Sequence, residues 1–157
     1  MKNTILCALI LICSHLSSQT LPVKDIPAPD ELQIRYDLTR NRLFKGTCPA
    51  YIEDFILNDL QSDPAKQALR RFSNYSGDIS GRYISAISGM PQNEWPANFN
   101  TLVKYAIAMQ QSDGRFGNPS LVFTPELIGN DHMALLWGNG RLLVGLVDYY
   151  NVTKSAE

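Results

Sequence analysis

The sequence predicts an all-α domain, and two observations support this. Beyond the proline-containing segment that ends near residue 32, apolar residues recur at three- and four-residue steps almost throughout the chain. The alternation typical of strands and the turn dipeptides typical of hairpins do not compete with that pattern. We therefore expect helices that pack in antiparallel pairs.

The first 19 residues have the layout of a secretory signal peptide: one lysine, an apolar run from Ile5 to Cys13, and then small and polar residues. That run is shorter than the roughly 20 residues that span a bilayer, so we expect no permanent membrane span. The protein is predicted to be secreted or periplasmic. Residues 20–40 then form an extended linker and a first helix, and residues 41–157 form the main domain.

Composition excludes several classes of site and partner. Removal of the signal peptide would leave Cys48 as the only cysteine, which excludes an internal disulfide and a zinc site built from cysteine pairs. The formal net charge is -1, and lysines and arginines are scattered along the chain. We expect no nucleic-acid partner, because proteins that bind nucleic acids concentrate positive charge on one surface.

The first two helical segments of the main domain are "AYIEDFILNDLQ" (residues 50–61) and "SDPAKQALRRFSNY" (residues 62–75). The second segment has Asp63 as its N-cap and Pro64 at its first helical position, where the missing N–H costs nothing. The first segment places four apolar side chains on one face, those of Ile52, Phe55, Ile56 and Leu60.

Two further helices are predicted in "GDISGRYISAISGM" (residues 77–90) and "NFNTLVKYAIAMQQ" (residues 98–111). Gly89 and then Pro91 mark the end of the first. Asn100 is the expected cap of the second. Their predicted apolar faces consist of Ile79, Tyr83, Ile84 and Ile87 in the first, and Leu102, Val103, Ala106 and Ile107 in the second.

The last segment, "NDHMALLWGNGRLLVGLVDYYNVT", predicts a helix of about 18 residues from Asp131, roughly 27 Å long. Gly138, Gly140 and Gly145 each weaken it by up to ~1 kcal/mol relative to alanine, which predicts a close approach to another helix. The connection before it, residues 112–130, is longer than the 2–8 residues usual between bundle helices. A connection of that length and composition favours a functional loop.

Within that connection, "SDGRFGNP" supports two interpretations that are compatible with each other. One is a helix C-terminus with Gly114 as a left-handed cap. The other is a sugar-facing loop, with Phe116 as a stacking platform and Asp113 or Arg115 as hydrogen-bond partners.

Four other residues leave alternatives open. Asp78 and Arg82 in "DISGRY" are either an N-cap with an i,i+4 ion pair, which stabilises by a few tenths of a kcal/mol, or contacts to a substrate. His132 is either a surface or capping residue or part of a site. Trp137 is either a core residue or a pocket-lining one. Signatures of Ser-His-Asp catalysis and of phosphate-binding loops are absent from the sequence.

Three segments resemble, in this order, the N-terminal part of the bacterial β-L-arabinofuranosidase family (glycoside hydrolase family 127 and its relatives). "SGDISGRYISAIS" is similar to the family's G-x-Y/W step into a helix of small and apolar residues. "AIAMQQSDGRFGN" looks like its "Q-Q-x-D-G-Y-L" loop. "LLWGNGRLLVGLVDYYNVT" looks like its helix ending in "G-L-L-D-Y-Y-x-x-T". The resemblance spans residues 42–153.

The resemblance implies an (α/α)6 toroid whose inner helices surround a sugar pocket. It also implies a retaining hydrolase with a zinc-bound cysteine nucleophile and a glutamate acid/base, which belong to a later part of a longer chain. Cys48 precedes the first matched motif, so we expect no catalytic residue and no metal ligand in this chain. Asp78 stands where many relatives have a histidine. Arg141 stands roughly where some relatives have one.

The resemblance therefore predicts the N-terminal portion of a glycoside hydrolase for arabinose-containing plant-type glycans, inactive alone. Its toroid of antiparallel helix pairs would not close within this chain, and the isolated chain would expose a large apolar patch. Expected partners are an oligo- or polysaccharide and the missing C-terminal part of the toroid. The alternative is a non-catalytic helical carbohydrate-binding or interaction module. The expected substrate-binding residues are Asp78, Arg82, Asp113, Arg115, Phe116 and His132.

Overall fold

The computed structural model of this protein describes residues 29–44, 53–58, 60 and 75–155. The chain divides into two compact units, residues 1–35 and residues 36–157. In the first unit the described residues belong to the start of a helix, where Arg35 and Glu31 form an exposed ion pair of 2.7 Å. The predicted signal peptide and most of the predicted helix over residues 62–75 lie outside the described residues.

The described part of the chain is helical and contains no strand, which confirms the all-α prediction. Its longer helices are connected by irregular segments and by one 3-10 turn. The helices are α1 (Asp30–Phe44), α2 (Glu53–Asn58), α3 (Asp78–Ser88), α4 (Phe99–Ala108) and α5 (Asn130–Thr153), and the 3-10 turn is Gln92–Glu94. None of the described helices is both long and apolar enough to cross a membrane. Arrangement of the helices as a toroid remains a prediction.

The structure moves two predicted helix boundaries. Asn98, not Asn100, is the cap position of α4, because the amide of Leu102 already donates to the carbonyl of Asn98 (2.9 Å). The side chain of Asn100 instead accepts a hydrogen bond from the hydroxyl of Tyr149 at 3.1 Å. Helix α5 has 24 residues instead of about 18, which makes it roughly 36 Å long.

The core of the second unit lies where α3, α4 and α5 meet. Phe99 at the start of α4 is buried and lies between aromatic rings, with centroids 4.9 Å from Trp95 and 5.8 Å from Tyr149. The predicted apolar faces supply most of the remaining fully buried side chains, among them Ile56, Leu60, Ile84, Ile87, Leu102 and Val103. The sequence periodicity therefore identified this part of the core correctly.

Glycines allow α5 to approach its neighbours closely at two of the three predicted positions. A Cβ added to Gly145 would overlap the carbonyl of Gly81 in α3, and one added to Gly138 would lie 2.5 Å from the carbonyl oxygen of Ser76. The predicted close approach to another helix is confirmed at Gly145, whereas Gly138 approaches the turn at Tyr75 and Ser76 that precedes α3. The prediction is wrong for Gly140, where a Cβ would meet no atom within 4 Å.

A polar cluster connects α1 with the 3-10 turn. Glu94 Oε2 accepts hydrogen bonds from Arg40 Nη1 at 2.9 Å and from the Tyr36 hydroxyl at 3.0 Å. The bond from Arg40 is the main cause, and that from Tyr36 the second cause, of a lowered pKa for the Glu94 carboxyl. Burial raises the pKa of Tyr36, and its bond to Glu94 adds to that rise.

Candidate functional site

A groove of about 710 Å³ lies between the start of α3 and the first turns of α5. The close contact of Gly138 with Ser76 brings these two helix starts together. The groove is lined by Tyr75, Asp78, Ile79, Arg82, Asn130, Met133, Ala134 and Trp137. Its volume is within the roughly 300–1,000 Å³ typical of small-molecule sites.

Asp78 is the polar centre of this groove. Its Oδ1 atom accepts a hydrogen bond from the indole Nε1 of Trp137 at 3.1 Å and pairs with Arg82 Nη2 at 3.0 Å. The predicted i,i+4 ion pair is therefore present, and its arginine lines the groove as well. The predicted N-cap role of Asp78 is wrong, because Gly77 is the N-cap of α3 and Asp78 is its first helical residue. Both donors use the same carboxylate oxygen, so Asp78 Oδ2 has no hydrogen-bond partner among the described residues and can accept one from a ligand.

Trp137 is the main aromatic surface of the groove, so its interpretation as a core residue is wrong. Its side chain is 54% exposed. The guanidinium of Arg141 lies 5.2 Å from the ring centroid, which is within the range of a cation–π contact. Tyr75 adds a second exposed ring to the lining. The groove therefore combines apolar ring surface with a carboxylate and a guanidinium.

Asp113 and Arg115 bond to each other and to their own loop. Arg115 Nε lies 2.6 Å from Asp113 Oδ2, and Arg115 Nη1 donates to the carbonyl of Leu121 at 2.7 Å. The backbone N–H of Arg115, which donates to Asp113 Oδ1, is the main cause of a lowered pKa for the Asp113 carboxyl. Neither side chain lines the groove.

Phe116 is not an exposed stacking platform, because it is only 7% exposed and belongs to the hydrophobic core. Asn139 in α5 fixes its position: Asn139 Oδ1 accepts from the Phe116 N–H at 3.0 Å, and its Nδ2 donates to the Phe116 carbonyl at 3.2 Å. The same Nδ2 donates to the carbonyl of Ser76 at 2.9 Å. Asn139 thus holds the loop and the entry to α3 together.

Gly114 has a left-handed conformation, with φ 87°, but it does not cap a helix. Helix α4 ends at Ala108, six residues earlier, and its C-cap residue Met109 has right-handed backbone angles. The amide of Gly114 donates to the carbonyl of Gln111 at 2.9 Å, which closes a turn. The predicted backbone conformation is therefore correct and its predicted location is wrong.

His132 is a buried capping residue. Its Nδ1 accepts a hydrogen bond from the Gly129 N–H at 3.2 Å, and its Nε2 lies 3.0 Å from the carbonyl oxygen of Val122. A carbonyl can only accept, so Nε2 carries a proton. The ring of Phe123 packs edge-on against the imidazole, with centroids 4.8 Å apart. The capping interpretation is confirmed, and His132 does not line the groove.

The structure therefore brings together two of the six predicted site residues, Asp78 and Arg82. Three important contributors were not predicted as site residues: Trp137, Tyr75 and Asn139. The signal for Asn139 was its position as a polar residue between two glycines in an otherwise apolar helix. Asp78 is the only carboxylate among the residues that line the groove, and no three His, Cys, Asp or Glu side chains come together in the described residues. The described groove-lining residues thus offer one carboxylate and no imidazole or thiolate as metal ligands.

Comparison of the chain with protein-family models, with curated proteins and with solved structures finds no match in any of the three.

Proposed function

We propose that the groove between α3 and α5 binds a sugar unit, and that the chain is the N-terminal portion of a glycoside hydrolase for arabinose-containing glycans. The observation that carries the proposal is the half-exposed Trp137 next to the Asp78–Arg82 pair. The three sequence motifs that resemble β-L-arabinofuranosidases support the same substrate class.

The chemistry of this groove suits a sugar ring. A sugar has an apolar C–H surface that packs on an indole, and its hydroxyl groups both donate and accept hydrogen bonds. The carboxylate of Asp78 can accept from a hydroxyl through its open Oδ2, while the guanidinium of Arg82 offers donors in a fixed plane. Because Asp78 is already held by two donors, its orientation is set before the ligand arrives.

The proposal assigns binding, not hydrolysis, to this groove. Hydrolysis by two carboxylates requires a second carboxyl group about 5–10 Å from the first. Among the described residues that line the groove, Asp78 alone supplies one. The acid/base and the nucleophile of the enzyme would come from the remaining part of the toroid.

A stand-alone carbohydrate-binding module is the second candidate, and one observation favours it. The described residues that line the groove come from α3, α5 and the neighbouring Tyr75, so two adjacent helices supply both its aromatic surface and its charged pair. The two candidates differ in the expected affinity. A half-pocket of an enzyme should bind an arabino-oligosaccharide in the millimolar range, whereas a complete module should bind it in the micromolar range.

The two tryptophans of the chain provide a direct test. The indole N–H of Trp137 donates to Asp78 in the groove, whereas that of Trp95 donates to the carbonyl of Met90 at 3.0 Å. In ¹⁵N-labelled protein, titration with arabino-oligosaccharides should shift the Trp137 indole signal in a saturable way and leave the Trp95 signal in place. Trp137→Ala and Asp78→Asn should each weaken binding at least about 10-fold by calorimetry.

Asp113→Asn is the matched control, because it removes a carboxylate that does not line the groove, and it should bind like wild type. An aryl arabinofuranoside should not be hydrolysed. The proposal fails if the Trp137 signal does not move up to about 10 mM sugar, or if Trp137→Ala binds as well as wild type.

A further inference from the structure

Helix α5 presents a continuous apolar stripe to solvent. Of the residues in this stripe, only the first, Met133, also lines the groove. The stripe consists of six positions separated by steps of three, four, three, four and three residues: Met133, Leu136, Gly140, Leu143, Val147 and Tyr150. Its five side chains are between 47% and 63% exposed. We call these six residues the α5 stripe.

The spacing of the α5 stripe is that of a helix–helix seam. Alternating steps of three and four residues average 3.5, the repeat that keeps a row of side chains facing one partner helix. The opposite side of α5, with Leu135 and Leu142, is already buried in the second unit. A helix with two apolar faces is usually packed against other helices on both of them, so we expect a packing partner for the α5 stripe.

The exposed area is large enough for a stable interface. Together with the flanking Trp137 and Val144, the stripe offers on the order of 700 Å², compared with roughly 800 Å² per partner in a standard protein interface. Monomeric proteins rarely expose apolar patches of more than a few hundred Å². The large exposed patch expected from the sequence is present.

We propose that the α5 stripe is covered by the α5 stripe of a second copy of this chain, in antiparallel orientation. With the twofold axis between residues 141 and 142, Met133 faces the second copy's Tyr150, and Leu136 faces its Val147. Gly140 faces the second copy's Leu143. Because a Cβ on Gly140 would meet no atom within 4 Å, this position forms a hole into which the facing leucine fits.

Charge at the two ends of α5 selects the antiparallel orientation. Asp131 lies in the first turn and Lys154 is the C-cap residue. Antiparallel pairing places the aspartate of one copy at the same end as the lysine of the other, and it opposes the two helix dipoles. Parallel pairing would bring like charges and aligned dipoles together. Arg141, near the axis, lies over the Trp137 ring of its own copy.

Sedimentation velocity on the full chain and two single variants tests the interface. The wild-type chain should dimerise with a dissociation constant in the micromolar range. Leu136→Glu and Val147→Lys should each weaken dimerisation at least about 100-fold, because each places an unpaired charge in the seam. Tyr105→Glu is the control, since Tyr105 on α4 is 54% exposed and lies outside the stripe, and it should dimerise like wild type.

Mixing the two variants tests the orientation. In an antiparallel pair of the two variants, the carboxylate introduced at position 136 of one copy faces the ammonium group introduced at position 147 of the other. The second contact between these positions keeps the native Leu136 and Val147. The mixture should therefore recover a heterodimer within about 10-fold of wild-type affinity. A parallel pair cannot bring positions 136 and 147 together, so in that case mixing the variants would not restore the affinity.

Three results would overturn the proposal. The first is a wild-type chain that stays monomeric up to about 200 µM, which would favour another part of the toroid as the cover of the stripe. The second is a dimer that neither variant weakens. The third is a mixture that stays monomeric. Circular dichroism of each variant shows whether the helices are intact, and both substituted positions are exposed, so the fold should tolerate them.

Discussion

Replacing Asn139 with alanine should destabilise the second unit by about 2–3 kcal/mol. The amide of Asn139 makes three hydrogen bonds, two to the backbone of Phe116 and one to the carbonyl of Ser76. Each such bond contributes about 1 kcal/mol net, and more where the group left behind is buried. Alanine recovers up to about 0.7 kcal/mol through its better helix propensity.

The measurement is urea unfolding followed by circular dichroism, with Asn151→Ala as the matched control. Asn151 is an exposed asparagine in the same helix, so its substitution gains the same propensity without losing the three bonds and should stay within about 0.5 kcal/mol of wild type. Asn139→Asp keeps an acceptor for the Phe116 N–H but loses both donated bonds, and it should not restore stability. If Asn139→Ala were as stable as Asn151→Ala, Asn139 would not hold the loop and the entry to α3 together.

The remaining predictions concern packing, pH and the loop before α5. Gly145→Ala should destabilise by more than about 2 kcal/mol because its Cβ would overlap backbone of α3, whereas Gly140→Ala, measured at a concentration too low for association, should stabilise by up to about 1 kcal/mol. The bond from Arg40 lowers the pKa of Glu94, so Glu94 contributes stability above the ordinary glutamate pKa of about 4.3. This contribution is lost as the pH falls through the lowered pKa. Glu94→Gln should therefore reduce the loss of thermal stability at acidic pH, as measured by thermal unfolding at several pH values. His132→Phe removes the partner of two backbone groups and should speed hydrogen exchange in residues 120–129 without moving the groove signals.

The parts of this fold that the sequence predicted are those set by neighbours along the chain. Helix α3 and its apolar face follow from a periodic pattern that ends at a glycine, and the Asp78–Arg82 pair follows from the geometry of one helical turn. The same reasoning found the buried sides of α4. In each case the relevant contact lies within a few residues.

The errors arise where contacts distant in sequence decide the outcome. Phe116 looked available because its loop is polar, yet Asn139, 23 residues later, draws that loop into the core. The sequence left Trp137 open as a core or a pocket-lining residue, because α5 is apolar on two sides and only one of them packs against α3. Periodicity identifies apolar faces, and it does not state which face is covered.

Met133 and Trp137 connect the two proposals, because both line the groove, while Met133 belongs to the α5 stripe and Trp137 flanks it. If a second copy covers Met133, sugar binding and dimerisation compete for it, and by linkage each must weaken the other by the same factor. The apparent affinity for arabino-oligosaccharides should then fall as the concentration of the wild-type chain rises. It should be independent of concentration in Leu136→Glu, whose substituted residue does not line the groove. A wild-type affinity that did not change across the dimerisation range would mean that the two surfaces act independently, since reciprocal coupling cannot exist in one direction only.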